Sequence, residues 1–246
     1  MKQRLDVAIV ERGLVSSRQK AIGHIMAGEV RVDGHTVTKA GYMVRDDCSV
    51  DIVSGRIPFV GRGGLKLDAA LDHFGIDVSG KVAMDIGAST GGFTDCLLQR
   101  GARRVYAVDV GYGLIDAGLR NDPGVVLLEK TNFRYIERDR IPECIDIVTV
   151  DVSFISVTKI IPGAITFLCD GGRIIVLIKP QFEVGKGQVG KGGIVRDVRK
   201  RETAVEKVRN SMTEMGLESS GIFESPIRGQ KGNIEYFVWL KMRDDD

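Results

Sequence analysis

The chain has 246 residues, of which 43% are hydrophobic, 28% charged and 6% aromatic. These are ordinary globular values, and they exclude a disordered or collagen-like chain. The formal net charge of +2 is too small to announce a polyanion binder by itself. Residues 1–60 carry nine Lys/Arg against seven Asp/Glu and the remainder 26 of each, so the excess lies in the first quarter.

No run approaches the roughly 18 apolar residues needed to span a bilayer. The opening MKQRLDVAIVERG puts charges where a signal peptide is apolar, so a cytosolic protein is expected. Cys48, Cys96, Cys144 and Cys169 are scattered singly, as are His24, His35 and His73. Neither a zinc site nor a disulfide framework is legible.

The first segment reads as two short helices followed by strands. Ser16 or Ser17 is placed to cap the second helix, in which Ala21, Ile22, Ile25 and Met26 recur at helical spacing before Gly28 stops it. VRVDGHTV then alternates around Asp33-Gly34, a strong hairpin signal, and CSVDIV makes a further strand. SGRIPFVGRGG, residues 54–64, has a proline and four glycines in eleven positions. Such a composition punctuates, so the boundary falls there, between a small α+β domain over 1–58 and a larger one over 59–246.

From Gly64 onward, apolar runs of strand length alternate with helical stretches. KVAMDI, RVYAVDV, VVLLE, DIVTVDVSF and RIIVLIKP read as parallel strands buried on both faces and joined by crossover helices, the pattern of an α/β domain. SSGIFESPIRG and NIEYFVWLKM read as an antiparallel pair at one sheet edge.

VAMDIGASTGGFTDCLLQRG sets a strand, an acidic residue, a glycine turn and an amphipathic helix in series, a ligand-binding arrangement at the carboxyl end of a strand. Gly87, Gly91 and Gly92 do not have the G-x-G-x-x-G spacing that cradles a pyrophosphate. Asp85 would repel a pyrophosphate but attract an ammonium, so S-adenosyl-L-methionine fits better than a nicotinamide cofactor. Ser89 and Phe93 belong to the same turn. Asp109, 24 positions after Asp85, is placed to accept both ribose hydroxyls of an adenosine, and Asn132 to reach the adenine edge. The alternatives are that both aspartates cap the helices that follow and that Asn132 belongs to a plain turn.

Two ionisable groups end strands that are otherwise apolar, Asp151 in DIVTVDVSF and Lys179 in RIIVLIKPQF. Burying either alone is expensive, so they make a structural ion pair with each other or they serve chemistry. Lys66 in GGLKLDAALDHF and Glu235 in GNIEYFVWL are further candidates.

The series Lys66, Asp151, Lys179, Glu235 resembles the Lys-Asp-Lys-Glu tetrad of the FtsJ-type ribose 2′-O-methyltransferases. VGRGGLKL, DIGASTGGFTD, DVSFIS, IKPQFEVGK and GNIEYF are similar to the hemolysin-A-like (TlyA) branch of that superfamily. The first 53 residues resemble the small RNA-binding domain named after ribosomal small-subunit protein S-four. The heat-shock FtsJ proteins have Pro-Gly-Gly where this chain has Thr90-Gly91-Gly92, and they lack the N-terminal domain. The closer branch implies a Rossmann-like, S-adenosylmethionine-dependent fold and methylation of cytidine riboses in ribosomal RNA. The tetrad then implies Lys179 as general base, or as a fixed positive charge, with Lys66 stabilising the alkoxide and Asp151 and Glu235 orienting the lysines.

The expected RNA contacts are Arg4, Arg18, Lys20 and Arg31 in the first domain, together with Lys186 and Lys191. These last two lie in a glycine-rich, basic segment over 185–193, read as a mobile substrate loop. Phe133, Phe154 and Phe182 are walls of the core or cofactor pocket, or one of them stacks on an extruded base. Two other functions compete: a small-molecule methyltransferase, which leaves the N-terminal module without a purpose, and a membrane-active hemolysin, for which no spanning or long basic amphipathic segment exists. No metal and no membrane partner are expected.

Overall fold

A computed structural model of the protein describes residues 2–52, 58–185, 187–229 and 231–243. The chain divides into two compact units, Met1–Pro58 and Phe59–Asp246.

In the first unit, β1 (Lys2–Arg4), α1 (Leu5–Glu11) and α2 (Arg18–Ala27) precede β2 (Val30–Val32), β3 (His35–Thr36), β4 (Met43–Arg45) and β5 (Val50–Ile52). Ser17 caps α2 by accepting a hydrogen bond from the Lys20 N–H, and Gly28 closes it in the left-handed conformation. Asp33 and Gly34 have φ of 49° and 80°, the positive angles that a tight hairpin between β2 and β3 requires. Leu5, Ile9, Ala21, Ile25, Val30, Val44 and Val50 form the core. Met26, expected on the helix's apolar face, is 69% exposed. Pairing of β1 with β4 in a separate two-stranded sheet has no sequence signal, because β1 is a run of three polar residues.

The second unit contains α3 (Arg62–Phe74), β6 (Val82–Ile86), α4 (Gly92–Gln99), β7 (Arg104–Val108), α5 (Ala117–Arg120), β8 (Val125–Leu128), β9 (Ile145–Val150), α6 (Ile161–Ile165), β10 (Leu168–Ile178), α7 (Pro180–Glu183), α8 (Val198–Glu214), β11 (Leu217–Glu224) and β12 (Tyr236–Met242). Its seven-stranded sheet has the order β11-β12-β10-β9-β6-β7-β8. Strands β8, β7, β6, β9 and β10 are parallel, while β12 and β11 are antiparallel. All five residues of β6 are buried, which is why these strands look uniformly apolar.

The chain builds outward from β6 through β7 to β8 and then returns to β9 on the other side of β6. Open α/β sheets open a crevice at such a reversal, at the carboxyl ends of the strands. Strand β12 runs the opposite way, so its start lies at the same edge, with Tyr236 paired to Ile178 at the end of β10.

Three expectations change. DIVTVDVSF is strand only as far as Val150, and Asp151 begins a loop. RIIVLIKP belongs to a longer strand that starts at Leu168, with an irregularity in register between Leu168 and Arg173. The singly scattered cysteines are not all separate. Ile145 pairs with Leu168, which brings the neighbouring Cys144 and Cys169 into a disulfide with Cα atoms 5.2 Å apart.

Candidate active site

The strand ends dictate the site. Asp151 follows β9 and donates its backbone N–H to Ile86 O. Gly87 follows β6 so closely that a Cβ there would stand 2.5 Å from Asp151 O. Lys179 follows β10 and opens α7, while Glu235 directly precedes β12. Helix α3 carries Lys66 on the buried stripe formed with Gly64, Leu67, Ala70 and Leu71. It reaches the site because its N-terminus crosses that of α4 glycine to glycine. A Cβ on Gly92 would come within 3.0 Å of Gly64 N and 3.3 Å of Gly63 Cα. Gly92, the last glycine of the turn, is therefore required by helix packing.

These elements enclose a cavity of about 430 Å³, within the usual range for a small-ligand site. Its walls include Gly87, Ser89, Gly92 and Phe93 from the turn and all four of Lys66, Asp151, Lys179 and Glu235. The four form two pairs. Lys66 Nζ donates to Glu235 Oε2 at 2.6 Å, with 11% and 3% of the two side chains exposed. Lys179 Nζ stands 2.5 Å from Asp151 Oδ1 and donates to Ser153 Oγ at 3.0 Å. The Lys179–Asp151 contact is a charge contact whose alignment is not that of a hydrogen bond. The ion pair weighed as the structural alternative thus exists, and it opens onto the cavity. A Cβ on Gly229 would fall 2.1 Å from Glu235 Oε1, so a larger residue there would displace the carboxylate that holds Lys66.

The predicted cofactor residues divide. Asp109 lies beside the turn, where it accepts the Ser89 N–H at 2.8 Å and the Gly111 N–H at 2.6 Å. Ser89 and Gly91 take positive φ, 51° and 96°, to shape that turn. Asn132 is exposed and accepts the Arg134 N–H, capping a short turn of helix.

Gly91, Asp109 and Asn132 lie outside the cavity wall, and so does Asp85. It is completely buried behind the turn, where its two oxygens accept hydrogen bonds from Thr94 Oγ1 at 2.7 Å and Thr149 Oγ1 at 3.2 Å. Burial pushes its pKa up to about 7, with Asp151 adding to the rise and the two threonine hydroxyls opposing it. A strand-terminal aspartate reads identically in sequence whether it faces inward or outward.

Arg62, Ser153, Gln181, Arg228, Lys231 and Asn233 line the cavity without having been singled out from sequence. The charged lining comprises five cationic and two anionic side chains. The available signal was proximity: each lies within a few residues of a tetrad member. Glu183, 5% exposed, accepts the Val157 N–H and the Ser156 hydroxyl. It thereby ties the loop carrying Asp151 to the helix that follows Lys179. Phe154 is 89% exposed, has a φ of 66° and lies 5.1 Å from Phe182. Phe133 is core.

The glycine-rich segment expected to be mobile is pinned at its end. Asn233, buried, accepts the Val195 N–H and donates to Gly193 O, while Gly190 bridges to Ile194. Lys191 is exposed within that turn, and Lys186 lies outside the described residues. In the first unit, Arg4 and Arg18 converge on Asp6. Lys20 donates to Ser16 Oγ, and Arg31 stands on β2 opposite Thr36 and Asp51. Among the described residues no cluster of three His, Cys, Asp or Glu could hold a metal, and no helix is long and apolar enough to cross a membrane.

Residues 59–242 match the model of the FtsJ-like methyltransferases, and residues 3–47 match that of the S4 domain. The chain belongs to the FtsJ-like methyltransferase family. This FtsJ-like chain is 45% identical over 245 residues to the 16S/23S rRNA (cytidine-2′-O)-methyltransferase TlyA of Mycobacterium tuberculosis, covering 99% of this chain and 91% of that protein. It is 44% identical over 236 residues to Hemolysin A of Brachyspira hyodysenteriae, covering 96% and 98% respectively. Among solved structures, a hemolysin-named protein of Streptococcus thermophilus superposes with a TM-score of 0.78 at 40% identity, covering 99% of this chain and 90% of that one. Hemolysin names and methyltransferase names thus label relatives of one family.

Proposed function

We propose that this FtsJ-like methyltransferase transfers a methyl group from S-adenosyl-L-methionine to the ribose 2′-hydroxyl of a cytidine in ribosomal RNA. Residues 1–58 are its RNA-binding domain and 59–246 its catalytic domain. The observation that carries this reading is the joint lining of one cavity by the Lys66–Glu235 and Lys179–Asp151 pairs and the turn at Gly87–Phe93. The excess of cationic side chains around it favours an anionic substrate. The relative from M. tuberculosis, named for this activity, covers nearly the full chain.

The turn backbone, Phe93, Asp109 and Asn132 would hold the cofactor. Each Asp109 oxygen takes one backbone N–H and keeps a lone pair for a ribose hydroxyl. When bound, the cofactor supplies a methyl group already activated by a positively charged sulfur. The chain's own residues have to align a weakly acidic hydroxyl with that methyl and manage the charge of one proton. Effective molarities of well-aligned groups contribute about 7–11 kcal/mol, so alignment is a large share of the work.

Lys179, placed between Asp151 and Ser153, faces the hydroxyl in one of two roles: as the neutral amine it takes the proton, and as an ammonium it stabilises the developing charge while the proton passes to solvent. Lys66, fixed by Glu235, faces the oxygen and stabilises its developing negative charge. A rate that rises with pH and then levels off marks Lys179 as the base, whereas a rate that falls as pH passes through the lysine range marks a fixed ammonium. Phe154, exposed at the cavity wall, is positioned to stack on the extruded base.

Mass mapping of ribosomal RNA from cells with and without this gene tests the assignment. One or more 2′-O-methylcytidines should disappear with the gene and return on incubation with purified protein and labelled cofactor. Identical maps would end the ribosomal RNA reading.

A further inference from the structure

Asp6, the second residue of α1, is fully buried and bracketed by two guanidiniums. Arg4 donates from Nε to Oδ1 at 2.9 Å and from Nη2 to Oδ2 at 3.0 Å, while Arg18, the first residue of α2, donates from Nε to Oδ2 at 2.8 Å. The arginine side chains stay 49% and 57% exposed over a carboxylate that is 0% exposed. The negative charge is thus sealed inside and the positive charges face water. Gly41 lies beside the Arg4 guanidinium, where an added Cβ would stand 3.4 Å from its Nη1. Arg18 spends one of its five N–H donors on the contact.

We propose that Asp6 is a positioning residue that locks Arg4 and Arg18 side by side as a clamp for one backbone phosphate of an RNA strand. This rests on the reading above that the first unit contacts RNA. A long, free arginine loses rotamer freedom when it meets a phosphate, and prior fixation removes that cost from binding. Its planar fork lets it hold a carboxylate with one edge and a phosphate with another, which the point charge of a lysine does less well.

The clamp opposes simple charge counting. Deleting a carboxylate from a basic surface ordinarily tightens polyanion binding, because repulsion is removed while the phosphate contacts remain. A clamp whose jaws are set by that carboxylate loosens instead.

The test uses the full chain and purified bacterial ribosomal RNA, with affinity measured across a salt series. Asp6→Asn keeps the shape and removes the charge. It is expected to weaken binding about 3- to 10-fold at fixed salt, the loss typical of one ordinary hydrogen bond, since both arginines and their charges remain. Arg18→Lys keeps the charge, alters only a half-exposed side chain, and is expected to weaken binding in the same direction, so the test survives even if Asp6→Asn does not fold. Adding Asp6→Asn to an Arg4→Gln/Arg18→Gln protein should change RNA affinity no further, whereas a residue acting through the fold in general would still lower it. Equal or tighter binding by Asp6→Asn, or Arg18→Lys indistinguishable from the unaltered protein, overturns the clamp alone. An unaltered protein that does not bind ribosomal RNA overturns the clamp and the functional reading together.

Discussion

Lys66 and Glu235 are 169 positions apart in the chain and 2.6 Å apart in the fold. The contact joins the first helix of the catalytic unit to the start of its last strand, so the site is complete only when the whole unit has folded. The second pair, Lys179 with Asp151, joins the ends of two neighbouring strands.

The pairing pattern makes a kinetic prediction. Lys66→Ala and Lys179→Ala should each lower methyl transfer by about 10²-fold or more, the usual effect of removing one preorganised electrostatic group. Cofactor affinity should stay within a few-fold. Within a pair, Lys179→Ala combined with Asp151→Ala should cost little more than either change alone, because contacting residues are not additive. Single-turnover rates measure this coupling, and full additivity within both pairs would contradict the assignment.

Asp109 and Asp85 should now behave differently. Asp109→Ala should weaken S-adenosyl-L-methionine binding by about 1–3 kcal/mol, the cost of a lost partner for a polar group. Asp85→Ala should chiefly lower thermal stability, since it leaves the buried Thr94 hydroxyl without its acceptor and the Thr149 hydroxyl with only Met84 O at 3.4 Å. Calorimetric titration and thermal unfolding of the two variants check the split. Equal losses of cofactor affinity would return Asp85 to the binding set.

The two units should respond to pH with opposite signs. Asp85 holds its proton up to about pH 7 in the folded state, while the unfolded chain releases it near pH 4. The native state therefore binds the extra proton between these values, and the second unit loses stability as pH rises from about 4 to 7. Asp6 is the reverse case: the Arg4 hydrogen bond above all, with Arg18, holds its pKa at about 2 against the cost of burial. The first unit keeps that contribution above about pH 4 and loses it as pH falls towards 2. Hydrogen exchange resolved by unit across pH 2–8 reads both slopes, and Asp85→Asn should flatten only the second.

Removing residues 1–58 should leave a folded unit that still binds S-adenosyl-L-methionine, because the turn, Asp109 and both lysine–carboxylate pairs lie beyond the cut. Methyl transfer to ribosomal RNA should fall sharply. The salt dependence of RNA binding should be shallower by about 0.7–0.9 in log–log slope for each phosphate contact removed. Matching slopes for intact and shortened protein would deny the first unit a role in RNA binding.

Much of this architecture is legible in the residues themselves. Apolar runs of strand length, the caps at Ser17 and Gly28, the Asp33-Gly34 turn and the strand–glycine–helix series at Val82–Gln99 are local patterns. They depend on period, propensity and backbone freedom, which neighbouring residues set together. The motif around each tetrad member is likewise visible at its own place in the chain. What only the tertiary structure decided is how these places meet. Sequence could offer an Asp151–Lys179 pair only as one of two readings and could not direct Lys66 to Glu235 at all, because partner choice depends on strand order and on the reversed direction of β12. Nor could it turn Asp85 inward while Asp109 stays beside the turn, since the side of a strand end that faces the cavity follows from register with Thr149 and the approach of Thr94. Asp6 makes the same point in the first unit. A lone acid among basic residues looks like ordinary surface charge until the packing of α2 on α1 brings Arg18, 12 positions away, onto the carboxylate that its near neighbour Arg4 also holds, and burial then makes those contacts strong.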